Sequence, residues 1–119
     1  MRYARFQQDG QTHYGVVEGD SVRAIDGDLF GRHQVTGAPV SLASVKLLAP
    51  VLPSKIIAAA VNYHSHAEAS RSVLPDGEAP KQPELFLKPP SAVIAPGEDI
   101  VLPPDAGRVD YEGELVAVI

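Results

Sequence analysis

Apolar and polar residues alternate through the first quarter of the chain. Residues 1–8 set Met1, Tyr3 and Arg5 against Ala4 and Phe6, the two-residue period of a strand. Asp9-Gly10 predicts a tight hairpin turn, because glycine accepts the positive φ that such turns require. A second strand is expected over 12–18, a turn at Gly19-Asp20 and a third strand over 21–25, giving a β-meander. Residues 26–39 (DGDLFGRHQVTGAP) read as loop with one helical turn at 29–30, and 41–48 as a turn followed by a short strand. Pro50 and Pro53 bracket a linker. A three-stranded meander alone has a poor core, so this unit is expected to pack on the chain beyond the linker.

The pattern then changes. Residues 55–61 (KIIAAAV) form a short apolar run that predicts a buried strand. It gives way to Asn62-Tyr63-His64-Ser65, and a helix is expected over about 65–71 with Asn62 or Ser65 as its cap. Residues 74–83 (LPDGEAPKQP) read as a polar loop of the kind that covers or borders a site. Short strands are expected at 85–87, 92–95 and 100–102, with a turn at Pro96-Gly97. Ten of the eleven prolines lie after Ala49, which disfavours central helices there.

Residues 108–119 (RVDYEGELVAVI) predict a strand covered on both faces. Asp110, Glu112 and Glu114 would share one of them. Residues two apart on a strand lie about 6.6 Å apart, and two bare carboxylates at that distance repel by roughly 2.5 kcal/mol at an effective dielectric near 20. A hard divalent cation with oxygen ligands, Mg²⁺ or Mn²⁺, relieves such a pair. The alternative is a surface strand end with its acids in water.

Composition narrows the classes. The chain has 119 residues, 45% hydrophobic and 21% charged, as expected of a globular protein. No apolar run reaches membrane-spanning length, and the N-terminus lacks the apolar stretch of a secretory signal. Cysteine is absent, which excludes disulfides and thiolate chemistry. A cytoplasmic protein is the expectation, with no membrane partner. The net charge of −5 argues against nucleic acid as a partner.

Several residues are candidates for chemistry. His64 and His66 follow a strand end, and His66 is the better general base if it faces a cleft. Glu68 is placed to orient His66 or to act beside it. Lys88 follows an apolar strand and precedes a rigid Pro-Pro, where it would balance a substrate carboxylate or enolate. Each has a plainer reading as a surface or capping residue. His13 and His33 read as structural or surface residues.

The order of these blocks is more specific than any one of them. Asn62-Tyr63 with His66, the run from Pro83 through Leu85-Phe86-Leu87-Lys88 to Pro89-Pro90, then Pro96-Gly97, Ile100-Val101-Leu102-Pro103 and Asp110-Tyr111-Glu112-Gly113-Glu114-Leu115 together resemble the fumarylacetoacetate hydrolase family. The resemblance runs from about Lys55 onward. It implies a mainly β (α+β) chain in which a small N-terminal β-meander domain, residues 1–52, precedes residues 53–119. The latter would be the start of a mixed β-sandwich roll, a catalytic domain cut short.

By the same resemblance, the activity is isomerisation, hydrolysis or decarboxylation of 2-oxo acids such as acylpyruvates or dienol dicarboxylates, passing through a metal-bound enolate. Members described as 2-hydroxyhepta-2,4-diene-1,7-dioate isomerases share the two-part layout, so isomerisation leads. Mg²⁺ or Mn²⁺ would be held by Glu112, Glu114 and a later Asp outside this chain. His66 would move a proton or activate water, and Lys88 would lie near the substrate. The family's acid partner to the histidine commonly lies three residues after it, where this chain has Ala69. A homodimer is implied for the full-length protein. A binding or assembly module, or an inactive fragment, is the alternative reading.

Overall fold

The hairpin predicted at Asp9-Gly10 forms, with both residues at positive φ (49° and 77°), the signature of a two-residue turn that matches strand twist. The computed structural model describes residues 1–72, 74 and 77–119. The turn joins β1 (Arg2–Gln8) to β2 (Gln11–Glu18), which pair antiparallel with Phe6 opposite His13. Gly19 then turns β2 into β3 (Ser21–Gly27), with Val17 opposite Val22. The expected meander is therefore present.

Residues 26–39 are less irregular than expected. They contain β4 (His33–Val35), which pairs with the end of β3. β5 (Val40–Ser41) pairs with the beginning of β3 on the same outer edge. A 3₁₀ turn at Leu42–Ser44 and β6 (Lys46–Leu47) come next. β6 returns to the free edge of β1, so the sheet runs β4-β3-β2-β1-β6.

The pairing places Phe6, Gly15, Val17 and Val22 on one face. Phe6 (1% exposed) and Val22 (0%) are its most buried side chains, and each contributes about 1.5–3 kcal/mol through burial. The unit touches the second part of the chain at the Pro96-Gly97 turn. Ala95 is buried, and Lys46 Nζ lies 3.9 Å from Glu98 Oε1.

The second part holds β7 (Ile56–Ala60), α1 (His64–Ala69) and β8 (Glu84–Lys88), with β7 and β8 antiparallel as a two-stranded sheet. The molecule is thus mainly β. β7 is half-buried rather than buried, and β8 is exposed throughout; among the described residues no helix or other strand packs substantially on this small sheet. The helix is shorter than predicted, and neither Asn62 nor Ser65 caps it. Tyr63 occupies the cap position without a side-chain hydrogen bond.

Three expected strands are absent. Ala92 ends a 3₁₀ turn at Pro90–Ala92, and 93–95, 100–102 and 108–119 are irregular. The faces of 108–119 are not covered, with Tyr111 99% and Leu115 89% exposed. Side-chain alternation gives a strand its propensity, but the ladder needs a neighbour. No described strand lies beside this segment. The loop predicted over 74–83 includes Pro75 and Asp76, outside the described residues. Among those described, no helix is long and apolar enough to cross a membrane.

Candidate active site

β7 delivers its chain into a sharp bend. Val61 has φ 50°, a left-handed conformation that β-branched residues avoid. Strain of this kind persists where the surroundings fix it, and it clusters at functional sites. Asn62, Tyr63 and α1 come at once after it, and the irregular stretch 112–115 lies against them.

Three contacts bring the two stretches together. His66 Nε2 is 3.6 Å from Glu112 Oε1, with the two side chains 37% and 55% exposed. The Asn62 amide donates from Nδ2 to Glu114 Oε2 at 3.3 Å. The Leu115 backbone N–H donates to the Tyr63 hydroxyl, also at 3.3 Å. At 3.6 Å, His66 and Glu112 are neighbours but beyond a good hydrogen bond. Glu112 thus meets α1, and Glu114 meets the residue just after the bend.

Of the residues chosen from sequence, His66, Glu112 and Glu114 come together. Glu68 does not join them. It lies two residues after His66 on α1, and residues so spaced do not face one another on a helix. Glu112 takes the place beside the imidazole for which Glu68 was expected. Lys88 also lies apart. It ends β8 opposite Ile56, whereas the chain leaves β7 for the site at the Ala60–Glu84 pair, about 13 Å farther along the strand. Its ammonium instead sits 5.8 Å from the centre of the Phe86 ring, a cation–π distance.

Asn62 and Tyr63 were legible as part of an ordered motif. Their contacts were not, because each spans 52 residues of sequence. A cleft of about 190 Å³ borders Asn62, lined by residues 59–62 and 80–83.

The donor chemistry suits a hard cation. Mg²⁺ is commonly bound through one or two carboxylates, with water and substrate completing its shell. Glu112 and Glu114 match that requirement in kind and number. Among the described residues, no group of three or more His, Cys, Asp or Glu side chains is arranged to hold a metal ion.

Comparison with known proteins adds to this geometry. A family model described as Fumarylacetoacetate (FAA) hydrolase C-terminal matches residues 55–119, and one described as Rv2993c-like, N-terminal matches residues 1–50. An uncharacterized protein of Archaeoglobus fulgidus is 44% identical over 97% of this chain and 40% of its own length. The structure of a 5-carboxymethyl-2-hydroxymuconate delta-isomerase from Mycobacterium smegmatis is similar at a TM-score of 0.62 and 36% identity, covering 79% of this chain and 35% of that one. That of a 2-hydroxyhepta-2,4-diene-1,7-dioate isomerase from Mycobacterium marinum is similar at a TM-score of 0.62 and 30% identity, covering 79% and 34%. The chain therefore spans less than half the length of these relatives.

Proposed function

This chain belongs to the fumarylacetoacetate hydrolase family, and we propose that it carries part of the active site of an isomerase or hydrolase acting on 2-oxo acids. The observation that supports this most is the meeting of His66 with Glu112, and of Asn62 with Glu114, across two stretches remote in sequence. An imidazole beside a carboxylate pair is the equipment for moving a proton next to a carbonyl.

In this reading Glu112 and Glu114 would hold Mg²⁺ or Mn²⁺, which when bound polarises the 2-oxo group of the acid. His66 presents Nε2 to Glu112, and this is the ring atom that takes a proton from the substrate carbon and returns it. The hydrogen bond of Asn62 falls on Oε2 of Glu114, so Asn62 itself does not occupy Oε1. The cleft beside Asn62 receives the remainder of a small acid. Isomerisation is favoured over hydrolysis because two similar solved structures bear isomerase names.

The test is turnover of an acylpyruvate by the full-length protein with Mg²⁺. Glu114→Gln keeps the size and removes the charge, and it is expected to lower the rate at least a hundredfold. A rate equal to wild type would remove the carboxylate pair from the mechanism.

A further inference from the structure

We infer that Asn62 and Tyr63 are positioning residues that fasten the stretch 112–115 to the bend before α1 and thereby set the separation of His66 from the carboxylates. This rests on the reading of Glu112 and Glu114 as the binding pair, and adds to it the device that holds them. Among the described residues, the other hydrogen bonds made within 99–119 are local. Ala106 N–H reaches Pro103, and Arg108 reaches Asp110. The bonds from Asn62 and Tyr63 each span 52 residues, so they are what places this otherwise unladdered segment.

The two residues suit different halves of the task. Tyr63 is fixed at its backbone, since its carbonyl accepts the N–H of Ala67 at 3.0 Å in the first turn of α1. Its hydroxyl then accepts a backbone N–H, which sets the height of the segment whatever side chain stands at 115. Asn62 sets a side chain. Its neutral amide occupies one oxygen of Glu114 and leaves the negative charge in place. A lysine or arginine there would neutralise that charge and compete with a cation. The left-handed Val61 aims both residues, at a backbone cost that surrounding contacts must offset.

The experiment uses the full chain labelled with ¹⁵N. Amide exchange of Leu115 is measured by NMR beside amides of β1 and β2, in wild type, Tyr63→Phe, Asn62→Ala and Asn62→Gln. Leu115 is expected to exchange at least tenfold more slowly than unstructured chain in wild type. Tyr63→Phe should abolish that protection while the β1 and β2 amides stay unchanged. Mn²⁺ affinity, read by electron paramagnetic resonance, should fall about tenfold in Asn62→Ala, the scale seen when a partner of a metal ligand is lost. It should return to within threefold of wild type in Asn62→Gln.

An unprotected Leu115 in wild type, protection that survives Tyr63→Phe, or full affinity in Asn62→Ala overturns the inference. Glu114→Gln separates the two levels. If it abolishes Mn²⁺ binding and Asn62→Ala binds as wild type does, the positioning role alone fails. If wild type binds no Mn²⁺, or Glu114→Gln binds as wild type does, the carboxylate reading fails, and the exchange of Leu115 still decides whether the tether exists.

Discussion

Gly15 shows how closely the first sheet is fitted. A Cβ built there would stand 2.7 Å from Val22 Cγ2 and 2.9 Å from a ring carbon of Phe6, the two most buried side chains among the described residues. Neither can retreat without breaking its own packing. Gly15→Ala is therefore expected to destabilise by about 1–3 kcal/mol, read as a lower urea midpoint with unchanged slope; an unchanged midpoint would mean that the sheet is looser than described. The same residue-level geometry decides the site. His66 and Glu68 are close in sequence but point away from each other around α1, whereas His66 and Glu112 are remote in sequence and adjacent in space.

Among the elements, β7 and β8 act as a ruler. Their antiparallel register puts Glu84 at the site end and Lys88 at the other. Lys88→Met is therefore expected to leave acylpyruvate turnover within threefold of wild type. A hundredfold loss would place the ammonium at the reacting atoms and contradict the register. The meander was legible in the sequence because its information is local: alternating side chains set the faces, and Asp9-Gly10 fixes the first register. β4 and β5 were not, since strands of three and two residues carry no readable period and exist by pairing with the edge of β3. The reverse error arose at 108–119. Its valines and alternating pattern promise a strand, but strand pairing is non-local and no described neighbour supplies it. The same limit applied to the site. Residue types singled out His66, Glu112 and Glu114, whose two stretches the fold brings together, while Lys88 and Glu68, chosen by motif and by proximity, are placed apart by a register and a helical turn that spacing alone does not reveal.

As a whole, the molecule is open. Its radius of gyration is 18.6 Å, against about 13.5 Å for a compact chain of this length. Residues 100–102 and 115–116 are apolar and exposed, a surface of the kind that partners or further chain cover. The site lies where the small sheet, α1 and this exposed segment meet, so its function depends on contacts between remote parts of the chain. The central claim is that His66 moves a proton at the carbon beside a 2-oxo group, with Glu112 and Glu114 alongside. The most direct test is deuterium uptake at that carbon, monitored by NMR for a 2-oxo dicarboxylic acid in D₂O with Mg²⁺ and full-length protein. Wild type is expected to exchange at least a hundredfold faster than His66→Asn, within the 10²–10⁴ that a positioned acid–base group supplies. Equal rates in the two proteins would contradict the account.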